Sequence, residues 1–149
     1  MATINMLDSE NVGYEIPYGL ERMGIKRNRI DFSKTGVTNT KADVIQALPI
    51  GRGQYVMNVW VYVVSGESTN TTATISVGIS TDDDLFITSS TIASSGTLLP
   101  MNGAAKALQG TYFTANGSID ILVGTAAFTD AIVDVYALVL DLNPTKNLS

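Results

Sequence analysis

The sequence predicts an all-β fold, a jelly-roll-like β-sandwich preceded by an extended N-terminal arm. Three observations carry that prediction. Short runs rich in β-branched and aromatic residues recur from residue 42 onward, with Gly, Asn, Asp and Ser between them. Ala73, Ile75, Val77 and Ile79 alternate with Thr74, Ser76, Gly78 and Ser80, and Ile119, Ile121 and Val123 repeat the same period of two. No segment has the apolar stripe of a long amphipathic helix. Many short strands joined by turns indicate a sandwich or jelly roll.

The elements follow in chain order. Asp43–Ile50 reads as a strand ending at the turn Gly51-Arg52-Gly53, and Tyr55–Val64 as the strand after it. Residues 66–72 are polar and turn-like, and residues 73–80 form the first alternating strand. A loop at Thr81–Asp84 leads to a strand over Leu85–Ile92, and Gly96–Met101 is a shorter candidate. Thr111-Tyr112-Phe113 runs into Asn116-Gly117, a pair suited to the positive φ of a hairpin turn. The second alternating strand follows, and Ala131–Leu142 closes the fold.

Composition changes near residue 42. Residues 1–41 carry a net charge of +1 and scatter Gly13, Pro17, Gly19, Gly24 and Gly36 among polar residues, whereas residues 42–149 carry −6. We therefore expect an arm over residues 1–41 and a sandwich domain over 42–149.

The whole chain has 149 residues, 45% hydrophobic and 15% charged, enough for one self-sufficient core. It contains neither cysteine nor histidine, which excludes disulfides, thiol chemistry, the usual zinc ligands and the histidine-based nucleophile systems. A net charge of −5 argues against steering toward nucleic acid. The N-terminus lacks the basic and apolar regions of a signal peptide, and no apolar run approaches the roughly 20 residues of a membrane span. Synthesis in a cytoplasm is expected, with Asn70-Thr71-Thr72 and Asn116-Gly117-Ser118 acting as turns, not glycosylation sites.

Two strands are apolar on both sides. Tyr55–Val64 sets Tyr55, Met57, Val59, Val61 and Val63 against Val56, Trp60, Tyr62 and Val64, with Asn58 the one polar residue. Ala131–Leu142 sets Val133, Val135, Ala137 and Val139 against Ile132, Tyr136, Leu138 and Leu140. An antiparallel sheet normally leaves one face polar, so these strands call for a second cover. The arm, a neighbouring subunit or another protein would serve, and the feature points to assembly.

Candidate chemistry is sparse. Asp82-Asp83-Asp84 offers carboxylates for a cation, but an EF-hand loop would place Phe86 at its fifth position, and a solvated turn explains the run. Asp120 and Asp134 are the available pair for acid–base work, although Asp120, between Ile119 and Ile121, reads as solvent-facing. Gly51-Arg52-Gly53 begins like a dinucleotide loop, yet Val56 stands where the third glycine belongs and a strand follows where a helix is needed. Arg22, Lys26, Arg27, Arg29 and Lys34 cluster positive charge, interrupted by Glu21 and Asp31, with Phe32 as the one aromatic. Trp60 and Tyr62 are of the type that stacks on sugars, but their apolar strand favours burial. No cofactor, metal site or enzyme activity is expected.

The strand and turn phrases of residues 42–142 resemble a family of tailed-bacteriophage proteins, the capsid decoration or cement proteins. The resemblance is carried by residues 42–50, the strand Val56–Val63, residues 73–79 with the aspartate-rich loop after them, residues 112–119, and the strand after Thr129-Asp130-Ala131. It implies a β-sandwich on the outside of a phage head that clamps neighbouring major capsid protein subunits, with no cofactor, nucleic acid or membrane. A small homo-oligomer, dimer or trimer, and a virion location follow. The expected contacts are Ile16, Tyr18, Leu20, Arg22, Lys26, Arg27, Arg29 and Phe32 of the arm, with Trp60, Tyr62 and Tyr136 on the doubly apolar strands. Deleting residues 1–41 would then abolish attachment and leave the domain folded. The alternative is a carbohydrate- or receptor-binding module of a tail or head fibre.

Overall fold

The computed structural model describes residues 22–37 and 39–142. Nine strands and one helical turn occur among them: β1 (Arg22–Asp31), β2 (Val44–Ile50), β3 (Gln54–Ser65), β4 (Thr74–Ile79), β5 (Asp82–Thr91), β6 (Leu98–Leu99), α1 (Ala104–Ala107), β7 (Thr111–Tyr112), β8 (Gly117–Gly124) and β9 (Ile132–Asp141). The strands form two antiparallel sheets. One has the order β1-β9-β3-β6, with β7 also on β3, and the other β2-β8-β4-β5.

This order is that of a rolled ribbon. β1 pairs with β9, β2 with β8, β3 with β6 and β7, and β4 with β5, so the chain lies beside its own return path. Rolling the ribbon brings β9 against β3 and β8 against β4, which closes the two sheets. That is the jelly-roll arrangement expected from the sequence.

Alternate residues of each strand point inward and fill the space between the sheets. Val56, Val59, Val61 and Val63 of β3 and Val133, Val135 and Ala137 of β9 meet Ile45, Ile75, Val77, Ile119, Ile121 and Val123 of the facing sheet, all buried. The register of β3 against β9 shifts between Val56 and Asn58. This bulge reverses the alternation, so that Val56 and Val59 both point inward although they are three residues apart. Asn28 on β1 ties the sheets together by donating from Nδ2 to the Ala47 carbonyl, 2.8 Å away. At the β2–β3 turn Gly53 takes φ of +84°, as a glycine there can, and donates its amide to the Phe113 carbonyl.

Three features differ from expectation. The sandwich includes β1 and therefore begins at least twenty residues before the composition change at 42, because β1 pairs with β9 over its full length and Ile30 and Phe32 enter the core. β1 escapes sequence reading because its apolar residues change sides, with Met23 and Ile25 outward but Ile30 inward, so neither face alternates cleanly. Asn116-Gly117 does not make a hairpin turn: β7 and β8 belong to different sheets, and neither residue has positive φ. Asn116 instead accepts the Arg52 amide through Oδ1. The aspartate run opens β5 and is not a loop before it.

Candidate interaction surface

The outer face of the β1-β9-β3 sheet is assembled in cross-strand rows fixed by register. Ile25, Leu138 and Asn58 form one row, Arg27, Tyr136 and Trp60 the next, and Arg29, Asp134 and Tyr62 the third. Met23, Ile25, Tyr62 and Leu98 are 45, 49, 39 and 56% exposed, and Trp60, Tyr136, Leu138 and Leu140 are half-buried. Apolar side chains are therefore open to contact on the side of the sheet away from the core. The expectation of doubly apolar strands holds in space.

The middle rows carry the polar chemistry. The Trp60 and Tyr136 rings lie parallel, 7° apart in plane with centroids 5.7 Å apart, and the Arg27 guanidinium sits 5.8 Å from the Tyr136 centroid. Asp134, 3% exposed, accepts from Arg27 Nη2 at 2.9 Å and from Arg29 Nε at 2.7 Å. Burial by itself pushes the Asp134 carboxyl up, but the hydrogen bonds and charges of Arg29 and Arg27 outweigh it and hold the group below the ordinary carboxylate range. Two guanidinium groups on one carboxylate leave this part of the face positive. Arg27 and Arg29 remain 40 and 51% exposed, so that charge reaches solvent.

Beside β3 an open groove of about 480 Å³ is lined by Asn58, Trp60, Leu98, Pro100, Met101 and Lys106. Trp60 thus has Tyr136 on its β9 side and the groove on its β6 side. It is half-buried on the outer face, not buried as its apolar neighbours suggested. Tyr, Trp, Met and Arg are the residues enriched at protein interfaces, and here they are contiguous.

The other expected contact residues are placed differently. Lys26 reaches the sheet edge and donates to the Pro49 carbonyl and to Gln54 Oε1. Phe32 is buried edge-on against Phe128, centroids 4.7 Å apart, so its ring belongs to the core and presents no surface. Ile16, Tyr18 and Leu20 lie outside the described residues, as does the side chain of Arg22. Met23, Ile25 and Leu98 belong to the face but were not singled out from sequence. For β1 the missing signal was recognition of the strand itself.

Asp120 and Asp134 are not a catalytic pair. They project from the outer faces of opposite sheets, and Asp120 is buried, not solvent-facing. Burial pushes the Asp120 carboxyl up, with the Ser118 hydroxyl opposing in part. The carboxylates of Asp82, Asp83 and Asp84 come within 4.8 Å of one another. A hydrogen bond with Asp82, burial and the neighbouring charges push Asp84 up. Glu67, fully buried, accepts from Thr129 Oγ1 and from the amides of Thr129, Asp130 and Asn70. It joins the β3–β4 loop to the β8–β9 loop. Every buried side-chain nitrogen and oxygen among the described residues has a hydrogen-bond partner.

Solved phage capsid structures contain chains of this shape. One chain of the cyanophage Pam1 capsid asymmetric unit matches with a TM-score of 0.63 and 19% identity, over 94% of this chain and 99% of that one. The fold is one that phage capsids contain. A chain from the capsid of Ralstonia phage GP4 matches with a TM-score of 0.61 and 14% identity, over 85% of this chain and 89% of that one. A chain from the acidic stable capsid of Helicobacter pylori bacteriophage KHP30 matches with a TM-score of 0.59 and 14% identity, over 79 and 86% of the two chains. No protein-family model matches the chain, and no curated protein matches it in sequence.

Proposed function

We propose that this chain is a structural phage virion protein, a decoration or cement protein that binds the outside of the head and stabilises the major capsid protein lattice. The observation that carries the reading is the contiguous outer face of Met23, Ile25, Arg27, Trp60, Tyr136 and Leu98 on a fold that phage capsids contain. Such a face contributes apolar area and aromatic anchors, while Arg27 and Arg29 select an acidic rim on the partner. A dimer or trimer would repeat the contact across the shell and gain by avidity. Binding to the assembled shell and not to free subunits shifts the shell's stability by linkage.

The test is cosedimentation with shells of its own phage that lack this chain. Saturation at a simple ratio to the major capsid protein, with shells surviving more heat, is the expected result. Ile25→Asp with Leu98→Asp, both on exposed positions, should lower shell affinity by about tenfold or more and leave the melting temperature nearly unchanged. Full occupancy by this variant would remove the face from the contact.

The groove favours one other reading, a carbohydrate-binding module of a tail or head fibre. The free side of Trp60 between Asn58 and Lys106 is a platform on which a sugar ring could stack. Glycan binding lost in Trp60→Ala without unfolding, together with no binding to shells, would establish it.

A further inference from the structure

Among the described residues β1 is the open edge of its sheet, since it pairs with β9 and with no other strand. The Phe32 amide donates to the Ala131 carbonyl at 2.9 Å, in continuation of that register, and this fixes the phase of the ladder. Bonded pairs alternate along an antiparallel ladder, so Gly24, Lys26, Asn28 and Ile30 exchange backbone bonds with β9. Met23, Ile25, Arg27 and Arg29 turn both backbone groups outward, and none of these groups has a backbone partner among the described residues. Asp31 closes the row, its carbonyl accepting from the Lys34 amide. The edge is also the positive part of an acidic chain. Residues 22–34 hold five of the nine basic residues and one of the fourteen acidic ones.

We propose that the β1 edge from Met23 to Arg29 takes an added strand from another protein, an extended segment in which acidic and apolar residues alternate. A side chain on an added strand shares the face of the residue opposite it. Those opposite Arg27 and Arg29 stand on the outer face, beside two guanidinium groups that share the one Asp134 carboxylate, so acids fit there. Those opposite Asn28 and Ile30 point between the sheets. There a cavity of about 160 Å³ opens between β1 and β2, the edge strands of the two sheets, with Ile30, Val37 and Ile45 in its walls. It has room for an apolar side chain. The backbone ladder supplies affinity and the alternating side chains supply specificity, as in other strand additions. The same cations repel a basic strand, which keeps the edge from pairing indiscriminately. The site is the rim of the sheet and not its outer face, and the inference does not rest on the shell-binding reading.

Amide exchange read residue by residue on the full-length chain tests it. The probe is a short peptide alternating glutamate with valine, and its control is the lysine–valine counterpart. With the glutamate peptide at about ten times its dissociation constant, the amides of Ile25, Arg27 and Arg29 should exchange about tenfold more slowly. Those of Lys26 and Asn28, already bonded to β9, should change little. Added salt should weaken the binding. Ile25→Pro removes a donor that only the added strand would use, and proline is tolerated on an edge strand. That variant should melt with the parent and bind the peptide about tenfold more weakly. The comparison of the two peptides uses the parent alone and stands even if the variant does not fold. Slowing of these amides by neither peptide, or equally by both, would overturn the proposal. Protection gained by the parent alone as its concentration rises would also overturn it, by giving the edge to a second copy.

Discussion

Glu67→Gln is expected to destabilise the sandwich by about 3 kcal/mol at neutral pH, the equivalent of a carboxyl pKa lowered from 4.5 to about 2. Glu67 is fully buried, and burial alone would push its carboxyl up. The Thr129 hydroxyl and the amides of Thr129, Asp130 and Asn70 outweigh that penalty by donating to the charged form. Glutamine keeps one acceptor but turns an amino group toward these donors, leaving at least one of them without a partner. The folded-state pKa lies below the unfolded one, so the stabilisation is complete above about pH 4.5 and is lost as pH falls toward about 2. Asp134 acts in the same direction and Asp120 in the opposite one, so the measurement is the difference between parent and variant. Urea unfolding of both at pH 7 and at several values down to pH 2 should show that difference shrinking with acidification. A constant gap would mean that the carboxylate charge is not what joins the two loops.

That joint could not be read from the sequence. Glu67 stands alone in a polar stretch, and three of its four hydrogen bonds come from Thr129 and Asp130, 62 and 63 residues away. Strands β2, β3, β4, β8 and β9 were legible because a period of two survives wherever one side packs on the core, as at Ile75 and Val77 or Ile119 and Ile121. The doubly apolar character of β3 and β9 also named the right face, although the bulge at Met57 meant that Tyr55 and Trp60, assigned to opposite sides, share one side in space. β1 was hidden for the converse reason. It presents Lys26 and Asn28 inward and Met23 and Ile25 outward, so its burial follows from pairing with β9 and not from its own pattern. Asp120 shows the same limit, since an aspartate between two core isoleucines faces away from the core whether or not other groups cover it.

Removal of residues 1–41 is expected to unfold the protein, whereas removal of residues 1–20 should leave its melting temperature within a few degrees of the parent. The longer deletion takes β1 with it. Ile30 and Phe32 are buried, and each such side chain stabilises by about 1.5–3 kcal/mol. Asp134 would lose both Arg27 and Arg29 and, with β1 gone, would open to water without them. The Asn28 bridge to Ala47 contributes about 1 kcal/mol more. These side chains and the bridge sum to about 4–7 kcal/mol before the β1–β9 ladder is counted, against about 5–15 kcal/mol for the whole stability of a domain. β9, apolar on both faces, would become the sheet's open edge, which favours association between misfolded copies. Circular dichroism and thermal melts of the two truncated proteins separate these outcomes. A cooperative melt and native strand content in the 42–149 fragment would show that β1 is dispensable, and loss of shell binding on deleting 1–41 could then be assigned to the arm. If the fragment is unfolded, that deletion says nothing about attachment, and the shorter truncation is the one that tests whether residues before β1 contribute to binding.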